Sequence, residues 1–397
     1  MITVSEAKEI IDQTIQDYGT EQVQTSQCLG RVLREDLYAD RDFPPFNRVA
    51  MDGIAIHVES FEKGQRKFPI AGIAPAGSPQ QTMENKEACM EVMTGCVLPL
   101  GTNAVIRYED IQSQDGKATI AIDNVPAWKH VHKQGLDRKQ GDLLIAKGKI
   151  ITGAELGVAA TIGKTHLKVS KLPKVAVIST GDELVRISET PLPHQIRRSN
   201  IFRLRSSLQR LGVEATIFHL TDEYEHIRTE LINILKNYDV LVLSGGVSMG
   251  KFDHLPNVFE SLKVKKGFHK IKQRPGKPLW FGQSQEGAVI FALPGNPVSS
   301  FMCAQVYVLP WVRACLQTPQ TPKRYARLAV DYYFKPDLDY FLQVKLTYTN
   351  DGLTIATPVT GHGSGDLANL VDADAFLHLP KGINDFKKGA AFEYIKW

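Results

Sequence analysis

The chain has 397 residues, too many for one ordinary hydrophobic core, so two to four domains are expected. Its net charge of +4 is small and spread out, which argues against nucleic acid as the main partner, and no run of about 18 apolar residues exists to span a membrane. Five scattered cysteines, odd in number and without CxxC spacing, fit a reducing cytoplasm and neither a disulfide framework nor a zinc site.

In chain order, the spacing of Ala7, Ile10, Ile11 and Ile15 predicts a helix over Ser5 to Tyr18 with Ser5 as N-cap, and a second helix is expected around Ser26 to Leu33. The N-terminus is acidic as well as basic and has no signal-like apolar stretch. Pro44 and Pro45 then break helicity. From there to about Asp142, short apolar runs separated by Gly and Pro predict a small mostly-β domain. A helix over Gly153 to Ile162 and a strand over Thr165 to Ser170 follow, and Pro173 marks a boundary. Residues 173 to about 316 alternate strands (174–179, 213–220, 239–243, 288–293) with helices (199–211, 223–236, 297–316), the pattern of a parallel sheet covered on both faces. The tail from about 320 alternates apolar and polar residues and reads as a small β-barrel or sandwich.

Three glycine-containing turns carry the strongest chemical signal. VAVISTGDEL (Val175 to Leu184), VLVLSGGVSMGKFD (Val240 to Asp253) and VIFALPGNPVSS (Val289 to Ser300) each follow a β-branched run apolar on both faces. Parallel strands would gather the three turns at one sheet edge, where glycines let a ligand approach the backbone and helix starts offer unpaired N–H groups to an anion. Asp182 and Glu183, Asp222 and Asp253 follow these strand ends. Such carboxylates serve either as caps and solvated loop residues or, beside a phosphate site, as hard oxygen ligands for Mg2+ or water. Arg274 and Lys277 flank a Pro-Gly turn in QRPGKP, and are either a solvated face or a clamp for an oxyanion. No GxxxxGK[ST], GxGxxG or GxSxG motif is present, Ser248 has no nearby histidine to make it a nucleophile, and His254 and His269 stand alone. The Met51-Asp52-Gly53 and Thr94-Gly95 turns mean little taken singly.

Eight segments in order, PPFNRVAMDGIAI, MTGCVLPLGTNAVIRYED, QGLDRKQGD, STGDELV, SNIFRLRSSLQRLG, SGGVSMGKFD, RPGKP and LPGNPVS, resemble the MoeA/gephyrin family of molybdopterin molybdenumtransferases across essentially the whole chain. The resemblance implies an α/β multidomain fold and a cytoplasmic, Mg2+-dependent homodimer. Its four domains would be a discontinuous helical/β dimerisation domain (1–43 and 138–172), an inserted mostly-β domain (44–137), a central α/β molybdopterin-binding domain with a parallel-rich, MogA-like sheet (173–318) and a C-terminal β-barrel (319–397). The implied reaction joins molybdate to adenylylated molybdopterin with release of AMP. A separate molybdopterin adenylyltransferase would supply that substrate, with no nucleic-acid or membrane partner.

Carried over position by position, the resemblance sets the pterin against Thr94, Thr180, Gly181, Asp182, Ser244, Gly245, Gly246, Ser248, Pro294, Gly295, Asn296 and Pro297. It makes Asp52, Asp137, Glu183, Asp222 and Asp253 catalytic, the last three also binding metal, and gives molybdate to Arg274, Lys277, Ser299 and Ser364. Asp52, Thr94 and Asp137 would come from the second subunit. The family pattern has Asp, Ser and Tyr at Asn47, Val49 and Ile54, arginine at His132, and Gly-Arg at Asp337-Leu338. The two missing arginines motivate an alternative, a pterin-binding carrier or scaffold with weakened metal insertion. A tungstate-using homologue is a third reading, because the two oxyanions share size and charge.

Overall fold

The computed structural model describes residues 1–247 and 253–397, and these divide into two compact units. The larger comprises Met1–Arg34, Gly148–Gly153 and His166–Trp397; the smaller comprises Glu35–Lys147 and Ala154–Thr165.

The core of the larger unit is a six-stranded sheet. Its elements are β1 (Val175–Thr180), α1 (Asn200–Gln209), β2 (Ala215–Leu220), α2 (Tyr224–Asn237), β3 (Val240–Ser244), α3 (Leu255–Ser261), β4 (Lys265–His269), β5 (Trp280–Gln283), β6 (Val289–Leu293) and α4 (Pro297–Cys303). The strand order is β2-β1-β3-β6-β5-β4, with the first four strands parallel, β5 antiparallel to them, and β4, antiparallel to β5, running in the same direction as the first four. The parallel part is as expected; the antiparallel extension is not announced by any turn signal. Every residue of β1, β3 and β6 is buried, because alternate side chains enter two separate cores. Val177, Val242 and Phe291 pack under α1 and α4, whereas Ile178, Leu243 and Ile290 pack under α2 and α3. The helix begun by α4 passes through a π-turn at Ala304–Val308 into Leu309–Cys315. Pro310 lies just past that turn and lacks the N–H that a regular helix would need there.

A closed five-stranded barrel follows, formed by Arg324–Leu328, Asp339–Tyr348, Thr354–Pro358, Ala375–Leu379 and Ala391–Lys396. A barrel, not a sandwich, therefore ends the chain. Leu338 packs on its apolar core. The smaller unit is mostly β, built on a six-stranded sheet in which Gly53–Ile56 lies between Ala104–Arg107 and Cys89–Val92. All five cysteines are free and buried, and no described helix is long and apolar enough to cross a membrane.

The N-terminal helix is Val4–Asp12, shorter than its periodicity suggests, and its N-cap is Thr3, not Ser5. Thr3 and Glu6 form a reciprocal capping box, which satisfies two otherwise orphaned N–H groups. The helix stops because the Thr14 hydroxyl donates to the Ile11 carbonyl at 2.7 Å, a local bond that competes with the helical one. The helix expected at Ser26 to Leu33 is absent. A single 3-10 turn spans Thr25–Gln27, Gly30 adopts φ +79°, and Val32 and Leu33 form β-bridges to Ile150 and Val169.

The capping box is directly testable. In Thr3→Ala, the Val4–Asp12 amides should exchange about fivefold faster, matching a loss of about 1 kcal/mol, whereas Ser5→Ala should leave their exchange unchanged. Native-state hydrogen exchange reads both.

Candidate functional site

Equal strand register brings the three glycine turns together. Ser179 lies opposite Ser244, and Ser244 opposite Leu293, so the chain leaves β1, β3 and β6 at one level. The turns enclose a cavity of roughly 450 Å3, a size suited to a small organic ligand. Thr180, Gly181 and Glu183 line it from the first turn, Ser244, Gly245 and Gly246 from the second, and Pro294 to Pro297 from the third; Asp222 and Asp253 complete the rim. These expected site residues therefore share one cavity. Among the described residues, only the third turn leads directly into a helix, α4, while Ser199 and Asn200 at the start of α1, farther along the chain from the first turn, also line the cavity.

Close approach dictates the second turn. Gly245 and Gly246 have φ +104° and +69°, and a Cβ at either would stand 3.0 Å from Thr180 Oγ1. Thr180 Oγ1 is buried with no hydrogen-bond partner, and Thr180 and Ser244 are only 5% and 4% exposed. Two hydroxyls thus lie on the cavity floor.

Asp182 does not line the cavity. Its Oδ1 accepts from the Asp222 amide at 3.2 Å while its own amide donates to Asp222 Oδ2 at 3.3 Å, a reciprocal pair that fixes the ends of β1 and β2. Glu183 bends back over Gly181, where an added Cβ would stand 2.4 Å from its Oε2. Glu183, Asp222 and Asp253 share the rim, yet the described residues contain no preassembled cluster of three metal-ligating groups. Hard carboxylate oxygens around an open cavity suit Mg2+, which retains waters and takes only one or two protein carboxylates, drawing its other ligands from substrate phosphates.

Arg274 and Lys277 are exposed on the loop beside Pro278, which does line the cavity. Gln273–Arg274 pairs in parallel with Asp339 and Tyr340 of the barrel, and the Ile271 amide donates to the Lys277 carbonyl at 2.9 Å. Below the loop, the Tyr307 hydroxyl donates to Gln273 Oε1, and Gln273 Nε2 donates to the Gly276 carbonyl at 3.1 Å. Gly276 has φ +85°, and a Cβ there would meet Cys303 Sγ at 2.5 Å. Ser299 is buried in the first turn of α4. The Ser364 hydroxyl accepts from Asn296 Nδ2 at 2.9 Å, and its carbonyl accepts from the Val298 amide at 3.0 Å, tying residue 364 to the third turn. Ser248 lies outside the described residues.

Asp52, Thr94 and Asp137 belong to the smaller unit. Pairing of Gly53 with Val92 brings the first two together, and the Thr94 amide donates to Asp52 Oδ1 at 2.6 Å. That bond holds the Asp52 carboxyl below the usual carboxylate range. The contact is therefore complete above the ordinary carboxylate pKa and fades as pH falls through the lowered one. His132 Nε2 meets Asp137 Oδ1 at 2.9 Å, and strand pairing sets Arg48 opposite His132 with Nη2 3.4 Å from Nδ1. A guanidinium is thus present beside the histidine that stands in an arginine's place.

Sequence reasoning missed Asn200, Arg197 and Arg198, which also line the cavity, and Arg203 behind them. The Ser-Asn pair opening α1 after two arginines was the available signal.

Known proteins resemble this chain along its whole length. Family profiles described as MoeA N-terminal region (domain I and II), probable molybdopterin binding domain and MoeA C-terminal region (domain IV) match residues 2–163, 176–314 and 325–397. A molybdopterin molybdenumtransferase of Synechocystis is 38% identical over 400 residues, covering 100% of each chain. One from Staphylococcus epidermidis is 30% identical over 409 residues, covering 99% of this chain and 95% of its own. The crystal structure of the molybdopterin biosynthesis MoeA protein from Pyrococcus horikoshii has a TM-score of 0.82 at 30% identity, covering 100% of this chain and 99% of that one.

Gly276→Ala should destabilise the protein by about 1–3 kcal/mol, because a methyl enters occupied space at positive φ. Gly19→Ala, also at positive φ (+87°) but with nothing within 4 Å of its Cβ, should cost less. Chemical denaturation of the two variants checks the order.

Proposed function

Because the chain belongs to the MoeA family of molybdopterin molybdenumtransferases, we propose that it completes molybdenum cofactor synthesis by inserting molybdenum from molybdate into adenylylated molybdopterin, releasing AMP. The observation that carries this reading is the single cavity in which two hydroxyls, three glycine turns and three carboxylates meet. The Thr180 and Ser244 hydroxyls and the N–H group of Gly246 bind the pterin phosphate, supplying neutral donors where negative charge must be held. Glu183, Asp222 and Asp253 would hold Mg2+ between them, one or two as direct ligands and the rest through its waters, and the ion would supply charge neutralisation at the phosphates. The same carboxylates orient a water toward the adenylate phosphorus, so that cleavage of the P–O bond frees AMP. Arg274, Lys277, Ser299 and Ser364 receive molybdate: two cations and two hydroxyls suit a tetrahedral dianion.

A homodimer in which one subunit lends Asp52, Thr94 and Asp137 to its partner's cavity is part of the same proposal, as is the four-domain division with boundaries near 43, 137, 172 and 318. The exposed carboxylates of Asp52 and Asp137 and the limits of the three family profiles support it. A cytoplasmic setting and a separate adenylyltransferase belong to the same proposal. Arg48 beside His132 favours insertion over a carrier role, since it keeps a permanent cation where histidine alone would carry charge only when protonated.

Purified protein given adenylylated molybdopterin and Mg2+ should release AMP in a molybdate-dependent manner, followed by chromatography. Glu183→Gln and Asp253→Asn should each slow release by about 100-fold or more. Pterin binding without AMP release would replace this reading with the carrier.

A further inference from the structure

Behind the cavity floor, α1 carries an arginine with no obvious use. The Nε and Nη1 of Arg203 are buried without hydrogen-bond partners, and no ion pair reaches its guanidinium among the described residues. Burial lowers its pKa to about 10, which leaves it charged at neutral pH. Its guanidinium lies 5.5 Å from the Phe301 ring centroid, a weak cation–π contact, and so thinly compensated a buried cation is costly; a structural role alone would be served better by an apolar side chain of similar volume.

Its one bond explains what it does. Arg203 Nη2 donates to Asn200 Oδ1 at 2.5 Å. Asn200 Nδ2 in turn donates to the Gly295 carbonyl at 2.6 Å and to Ser244 Oγ at 2.9 Å. A guanidinium only donates and a carbonyl only accepts, so the orientation of the Asn200 amide admits no alternative. Both amide hydrogens are then consumed, and Ser244 Oγ is committed as an acceptor. The Ser244 hydroxyl hydrogen is left without an acceptor among the described residues, on a side chain that lines the cavity. Without Arg203 only the Gly295 carbonyl holds the amide in this orientation, its Oδ1 is left unpaired, and the Ser244 hydroxyl loses its fixed direction into the cavity.

We infer that Arg203 is a positioning residue: through Asn200, and together with the Gly295 carbonyl, it holds Ser244 as a hydrogen-bond donor into the cavity, aimed at the phosphate of the bound pterin. The inference rests on the pterin-binding reading above. The same relay spans the second and third turns, so it also sets the gap between Ser244 and Gly295 that the phosphate must enter.

The test is equilibrium binding of molybdopterin to the full-length protein, with thermal unfolding measured in parallel. Arg203→Met should bind about tenfold more weakly, the value of one charge-oriented hydrogen bond, yet unfold at the parent temperature or above it, because an unpaired buried cation has been removed. Arg203→Lys, which keeps a cationic donor for Asn200 Oδ1, should bind within about threefold of the parent. In a Ser244→Ala background the Arg203→Met change should cause no further loss, since the group it acts through is gone. Parent-like binding by Arg203→Met, a loss that multiplies with that of Ser244→Ala, or equal losses in Arg203→Met and Arg203→Lys would each overturn the inference. A parent protein that binds no molybdopterin would overturn the underlying reading and this inference with it.

Discussion

The cavity depends on one constraint, the parallel register of β1, β3 and β6. Val175 faces Val240 and Val240 faces Val289, and all three strands are buried on both sides. A one-residue slip in any of them would drive core side chains to the wrong face, so the register is enforced by the whole apolar content of two cores. The turns inherit that precision without supplying it. They are consequently free to carry groups that stability alone would reject: an unpartnered threonine hydroxyl, two glycines at positive φ, and carboxylates crowded on one rim.

Much of this was legible in the residues. VAVIST, VLVLS and VIFAL are too short and too uniformly apolar for anything but buried strands, and parallel strands place their following turns together. Two other kinds of feature were hidden. Local competition ended elements early: Thr14 and Gly30 look unremarkable in an apolar periodicity, yet a hydroxyl bonding back to Ile11 and a backbone at φ +79° each stop a helix. Roles conferred by a neighbour were invisible as well. Asp182 and Asp222 are both acidic residues at strand ends, but only contact shows that they brace each other, with Asp222 on the cavity rim and Asp182 off it. Arg203 reads as one cation on an amphipathic helix until its partners are known.

Substitutions relative to the family pattern look different once their surroundings are described. Leu338 packs on the barrel core, where an arginine would have to be accommodated among apolar groups. His132 stands between Asp137 and Arg48, so the local charge is set by three side chains together. Loss of a residue type at a position is therefore a poor measure of loss of a charge at a site.

The loop bearing Arg274 and Lys277 has two different supports. Its first residues are a strand of the barrel, through pairing with Asp339 and Tyr340, while its far end folds back onto Ile271, whose side chain is buried in the core of the α/β sheet. The loop thus bridges the barrel and the sheet like a beam resting on two walls. Any displacement of one wall against the other alters the spacing of its two cations, which gives the barrel mechanical leverage over the geometry of that pair.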